Sequence, residues 1–125
     1  MPAATRNITI EQGADYSEAY KVYSSPGVPW NLTSVTITAK VRSAFGSSGS
    51  TVATFTPTKT GAAAGEFTLS LTAVATAALT PSSSIPNTSG TRSVSLGVWD
   101  LEFEEGGVTY RILEGTAALS QEATR

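Results

Sequence analysis

Asp100, Glu102, Glu104 and Glu105 form the most concentrated set of ionisable side chains in the sequence. Carboxylate oxygens suit a divalent cation, and a carboxylate pair can do acid–base work when a cleft raises one pKa. The spacing argues against both uses. Positions i, i+2 and i+4 line one side of a β-strand, and Arg111 is expected opposite, so the row reads as a solvent face. The chain has no His and no Cys. The commonest general base, the usual triad member, thiolate metal sites, thiol nucleophiles and disulfides are therefore all missing. No catalytic residue, metal or cofactor is expected.

The glycines do not spell a phosphate cradle. No GxxxxGK[ST] or GxGxxG pattern precedes a helix, and Gly13, Gly46, Gly49, Gly61, Gly65, Gly106 and Gly107 fall between strand-like runs. The aromatics Phe55, Phe67, Trp99 and Phe103 sit on apolar faces and read as core. Tyr23, Phe45 and Trp30 are left as the rings with a claim to the surface, too few for a stacking platform. The net charge is −2, and 14% of residues are charged. The basic residues never adjoin, so no footprint for nucleic acid or an anionic membrane is present. No run approaches the ~20 apolar residues of a membrane span. Met1–Arg6 lacks the apolar core of a signal peptide, so synthesis in the cytoplasm is expected. Three glycosylation sequons, at Asn7, Asn31 and Asn87, carry no weight in a Ser/Thr-rich chain of that kind.

What positions these residues is a series of short alternating runs separated by turn signals. Ile8-Thr9-Ile10 opens the series. Tyr16 to Tyr23 follows, with Tyr16, Tyr20 and Val22 on one face. Glu18 falls on that same face, and it needs either a partner or an edge position near water. After a turn over Ser24–Pro29, Val35, Ile37, Ala39 and Val41 alternate with Thr36, Thr38, Lys40 and Arg42. Val52 to Thr58 reads as one short strand in which Ala53 and Phe55 share a face, with Pro57 marking an edge or a stop. Phe67, Leu69 and Leu71 make the next inward row. Thr72 to Leu79 changes period, with Thr72 placed to cap one or two helical turns.

Trp99, Leu101 and Phe103 then lead into a hairpin turned by Gly106-Gly107. A two-residue loop there pairs Phe103 with Tyr110, Glu102 with Arg111 and Leu101 with Ile112. Gly115 signals a bulge or a close approach. The 125 residues suit one domain, 1–125. Turns every ten residues or so, without βαβ spacing, predict an all-β, immunoglobulin-like antiparallel β-sandwich of seven or eight strands with one short helical turn. Its core should hold Ile37, Val41, Phe67, Leu69, Trp99, Leu101, Phe103 and Ile112.

Several stretches also resemble a family of small virion structural proteins of tailed bacteriophages. They are Asn7-Ile8-Thr9-Ile10-Glu11-Gln12-Gly13-Ala14-Asp15-Tyr16, Asn31-Leu32-Thr33-Ser34, Leu71-Thr72-Ala73, Trp99-Asp100-Leu101-Glu102, Tyr110-Arg111-Ile112-Leu113-Glu114-Gly115 and Ala123-Thr124-Arg125. The layout is similar to the immunoglobulin-like N-terminal domain of phage baseplate upper proteins. These are strand-and-turn motifs, and they carry no catalytic residue across. The resemblance implies a non-enzymatic adaptor in the tail, baseplate or fibre region, or a capsid decoration protein. It would be assembled into the virion in the host cytoplasm and bind other virion proteins or further copies of itself. A soluble carbohydrate- or host-surface-binding module is the alternative. The segment from Pro81 to Arg92 departs from the short turn such a family would carry there. It is rich in Ser, Asn, Gly and Pro, which marks it as a contact surface. The candidate contact residues are Arg6, Tyr23, Phe45, Ser83, Ile85, Asn87, Arg92 and Arg125.

Overall fold

Alternation of apolar and polar residues is converted directly into sheets. The computed structural model describes residues 3–46, 49–79 and 93–121. Its strands are β1 (Ala4–Thr5), β2 (Ile8–Glu11), β3 (Tyr16–Lys21), β4 (Tyr23–Ser25), β5 (Val28–Pro29), β6 (Thr36–Arg42), β7 (Thr51–Thr54), β8 (Thr56–Gly61), β9 (Glu66–Leu71), β10 (Ser93–Glu105) and β11 (Val108–Ser120). A 3-10 turn, Ala62–Ala64, precedes β9, and a helix, α1 (Ala73–Ala77), follows it. In β6 the residues Ile37, Ala39 and Val41 are buried between exposed or half-exposed neighbours. In β9 Phe67, Leu69 and Leu71 do the same.

One sheet has the order β3-β9-β8, and the other runs β11-β10-β6-β7 with β1 and β2 both against β11. Read by position, β3, β9 and β8 stand where the B, E and D strands of an immunoglobulin-like sandwich stand. The strands β11, β10 and β6 take the places of G, F and C. All pairings are antiparallel except those of β1 and β2 with β11, which are parallel. The fold is thus the predicted immunoglobulin-like β-sandwich, but with eleven strands among the described residues in place of seven or eight, because short extra strands form at the N-terminus and in the turns. A 3-10 turn is present besides the expected short helix.

The core is a continuous aromatic and aliphatic layer between the sheets. Seven of the eight expected residues, Ile37, Val41, Phe67, Leu69, Trp99, Leu101 and Phe103, are buried, joined by Ile8, Ile10, Leu32, Phe55, Leu96 and Leu119. Rings run through it in edge-to-face contact, the favoured geometry for aromatic pairs. Phe67 meets Phe103 at 5.7 Å, and Phe103 meets Trp30 at 5.2 Å.

Ile112 is the exception and is only partly buried. The hairpin register begins as expected, with Glu105 opposite Val108, Phe103 opposite Tyr110 and Glu102 opposite Arg111. A bulge between Leu101 and Glu102 then sets Leu101 opposite Leu113. Ile112 is the extra residue, and the bulge leaves it packed at the margin of the core and only partly covered.

Other boundaries also shift. The run from Val52 to Thr58 is two strands, because Phe55 is where the chain leaves one sheet for the other: β7 pairs with β6, and β8 pairs with β9. Pro57 sits on β8 at the sheet edge, where a missing N–H costs nothing. The turn over Ser24–Pro29 is itself a small hairpin of β4 and β5. Thr72 caps α1 as expected, its hydroxyl accepting from Ala75 N–H at 3.1 Å. The turn is pinned further by Asp15, which accepts from Ala73 N–H at 2.7 Å, and by buried Thr76, which accepts from Gly13 N–H at 3.0 Å.

The N-terminal strands pair with β11, and side-chain bonds pin the link between them. The Trp99 indole N–H donates to the Arg6 carbonyl at 2.6 Å. Gly115 lies opposite Trp99, and a Cβ there would stand 2.2 Å from the same carbonyl oxygen. Gly115 therefore marks a close approach of backbone, as its place in the strand suggested. Asn7 completes the join by accepting from Thr116 N–H at 3.0 Å.

Candidate protein interface

Two of the expected contact residues, Arg6 and Tyr23, are brought to one groove. It is lined by Ala4 and Arg6 from the first strand and its end, Glu18 to Tyr23 from β3 and β4, and Ile112 and Leu113 from β11. Arg6 arrives there because its backbone is held on β11, with its own N–H donating to the Glu114 carbonyl at 2.9 Å. Its guanidinium forms an ion pair with Glu18 and lies 6.0 Å from the centre of the Tyr20 ring. Glu18 also accepts from the Tyr16 hydroxyl at 2.8 Å. The inward carboxylate of β3 thus has partners and also stands on an edge strand. Sequence reasoning missed Tyr20, Ile112 and Leu113 as groove residues, although the break in alternation at Glu18 was a signal for the place.

The inward residues of β3 are covered only in part. Tyr16, Glu18 and Tyr20 are half-buried, whereas their counterparts Ile8 and Ile10 on β2 are buried. The Tyr20 hydroxyl is itself buried and has no hydrogen-bond partner among the described residues. Burial pushes the Tyr20 phenol up from 10.0 to about 12; nearby Tyr16 adds to the rise and Arg6 opposes it. Burial also raises the Tyr16 phenol. A phenol whose folded pKa is raised holds its proton more tightly when folded. Its contribution to stability is complete below pH 10 and is lost as pH climbs toward 12. Tyr20→Phe should change stability at pH 7 by less than about 1 kcal/mol, because the hydroxyl it removes makes no hydrogen bond of ordinary geometry among the described residues. The same variant should lose less stability than the parent between about pH 10 and pH 12. Urea midpoints measured across that range check both statements, and an unchanged alkaline profile would refute the second.

Phe45 belongs to a different surface. It is 53% exposed and lines a shallow concavity on the outer face of the larger sheet with Lys40, Arg42, Asp100, Glu102, Arg111 and Glu114. Arg42 holds the Phe45 loop by donating to the carbonyls of Gly46 and Gly49. Arg111 lies 3.9 Å from Asp100 and 3.6 Å from Glu114. Such exposed pairs add little stability, but they set carboxylates and cations side by side across the face. Among the described residues no three carboxylates converge as a metal site, since alternate residues on a strand stand ~6.8 Å apart. Ser83, Ile85, Asn87, Arg92 and Arg125, with the whole Pro81 to Arg92 segment, lie outside the described residues.

The end of the sandwich next to the groove is apolar. Trp30 and Tyr110 meet edge-to-face at 5.2 Å, and Tyr110, Val108, Val28 and Tyr23 are 41%, 49%, 51% and 47% exposed. The groove and this end offer a strand edge, rings and the Arg6–Glu18 ion pair. No helix among the described residues is long and apolar enough to cross a membrane. No family model and no curated protein matches the chain. Among solved structures it is similar to the ZIG-8–RIG-5 IG1-IG1 heterodimer, at 10% identity over 98% of this chain and 85% of that one, with a TM-score of 0.39.

Proposed function

We propose that this chain is a non-enzymatic virion structural protein of a tailed bacteriophage. In this reading it is an adaptor of the tail, baseplate or fibre region, or a capsid decoration protein. The observation that carries the binding part is the convergence of Arg6 and Tyr23 with Tyr20, Ile112 and Leu113 on one partly apolar groove, beside a strand edge that is unpaired among the described residues. Exposed apolar patches rimmed by polar groups mark protein contacts. The phage part rests on the sequence resemblance. Its motif residues do structural work: Asn7 joins the N-terminal strands to β11, Asn31 accepts from Thr33 N–H at 3.0 Å in a turn, and Thr72 caps α1. A carbohydrate module is less well supported, because Phe45 and Tyr23 line separate surfaces instead of one platform.

The test is to purify particles induced from the host that encodes the chain and quantify the chain by mass spectrometry. A fixed stoichiometry to the major virion proteins supports the proposal. Absence from purified particles overturns it. A glycan array run with the same protein should stay blank, and a specific signal would move the assignment to the carbohydrate module.

A further inference from the structure

The place that an A strand holds beside B in an immunoglobulin-like sandwich is empty here among the described residues. The strands β1 and β2 lie against β11, and β3 is left as an edge of its sheet. We infer that a second copy of this chain fills that place, its β3 pairing antiparallel with the first about a twofold axis at Ala19.

The backbone sets the parity. Val22 N–H donates to the Gly65 carbonyl, and the β3–β9 register carries no shift. The N–H and C=O groups of Tyr16, Glu18 and Tyr20 therefore turn toward β9, and those of Ser17, Ala19 and Lys21 turn outward. Antiparallel pairing through these groups sets odd residues against odd residues. An axis at Ala19 places Ala19 against Ala19, Ser17 against Lys21 and Glu18 against Tyr20. An axis at Glu18 would instead set two carboxylates face to face, which is destabilising. An axis at Tyr20 would set Glu18 against Val22.

The charges favour the Ala19 register. An inward carboxylate is normally a device against strand addition, but here Arg6 neutralises it. Because Arg6 also lies over Tyr20, the opposing Glu18 of the second copy arrives on the same guanidinium. Two arginines and two carboxylates then alternate across the axis and balance. Contrast the other edge of this sheet, where β8 carries Pro57 and Lys59, the residues that blunt an edge. Ser17 and Ala19 offer no such obstruction, and both are exposed.

Self-pairing does not depend on the virion reading. A monomer that is incorporated into particles would sink the pairing alone, and a dimer absent from particles would sink the virion reading alone. Sedimentation equilibrium of the full chain should show a concentration-dependent dimer. Ala19→Lys puts two like charges at the axis on an exposed position and should weaken the dimer by about tenfold or more. Arg6→Ala should weaken it too. A monomer up to millimolar concentration overturns the inference, as does a dimer that tolerates Ala19→Lys. Should the lysine variant lose its fold by circular dichroism, Ala19→Cys decides. Opposed Cα atoms in a hydrogen-bonded pair are about 5.5 Å apart, within disulfide range. The chain has no other cysteine. Oxidation should then give a crosslinked dimer, and its failure to form overturns the pairing.

Discussion

Phe103→Ala should destabilise the protein by about 3–5 kcal/mol, the range for removing a fully buried Phe ring. Phe103 is 0% exposed and joins the two halves of the ring network, touching Phe67 on the opposite sheet and Trp30 at the end of the sandwich. The cavity left behind would be walled by strands from both sheets, so it has little means of collapsing. Phe103→Leu should cost clearly less, because it keeps most of the volume. Urea unfolding followed by tryptophan fluorescence measures both, since Trp30 reports directly on the site. A loss below about 1 kcal/mol for the alanine variant would mean that the core does not depend on this ring.

Gly97→Ala should rank close behind, at roughly 3 kcal/mol, although it only adds a methyl group. Gly97 has φ +139°, a backbone conformation that side chains rarely adopt, and a Cβ there would stand 2.1 Å from the Arg42 carbonyl oxygen. The obstacle is backbone of the adjoining strand, so it cannot rotate away. The residue sits at an irregularity in the β10–β11 ladder between Ser95 and Gly97. The strain would therefore reach β6 and β11 together. A matched Gly106→Ala at the exposed hairpin turn, where a Cβ meets nothing within 4 Å, isolates the effect. It has the strained φ of +60° without the clash. Comparable losses for the two would show that the clash contributes nothing.

Much of this protein is decided by local pattern. The inward rows Ile37-Ala39-Val41 and Phe67-Leu69-Leu71 were readable because a half-buried strand writes its burial in a period of two. The cap at Thr72 and the Gly106-Gly107 turn were readable because each depends on residues within one turn of the chain. The absence of His and Cys removes imidazole and thiol chemistry whatever the fold. What local pattern does not hold is which edge meets which. The bulge that leaves Ile112 at the margin of the core and the change of partner at Phe55 both depend on the strands alongside, and neither strand shows it alone. The same applies to the groove. Arg6 and Glu18 are twelve positions apart, and they meet because β1 pairs with β11, the Arg6 N–H bonds to Glu114 and the Trp99 indole bonds to the Arg6 carbonyl. The pairing of β1 and β2 with β11 draws the N-terminal strands to the larger sheet, and leaves β3 with β9 on one side and no strand on the other among the described residues.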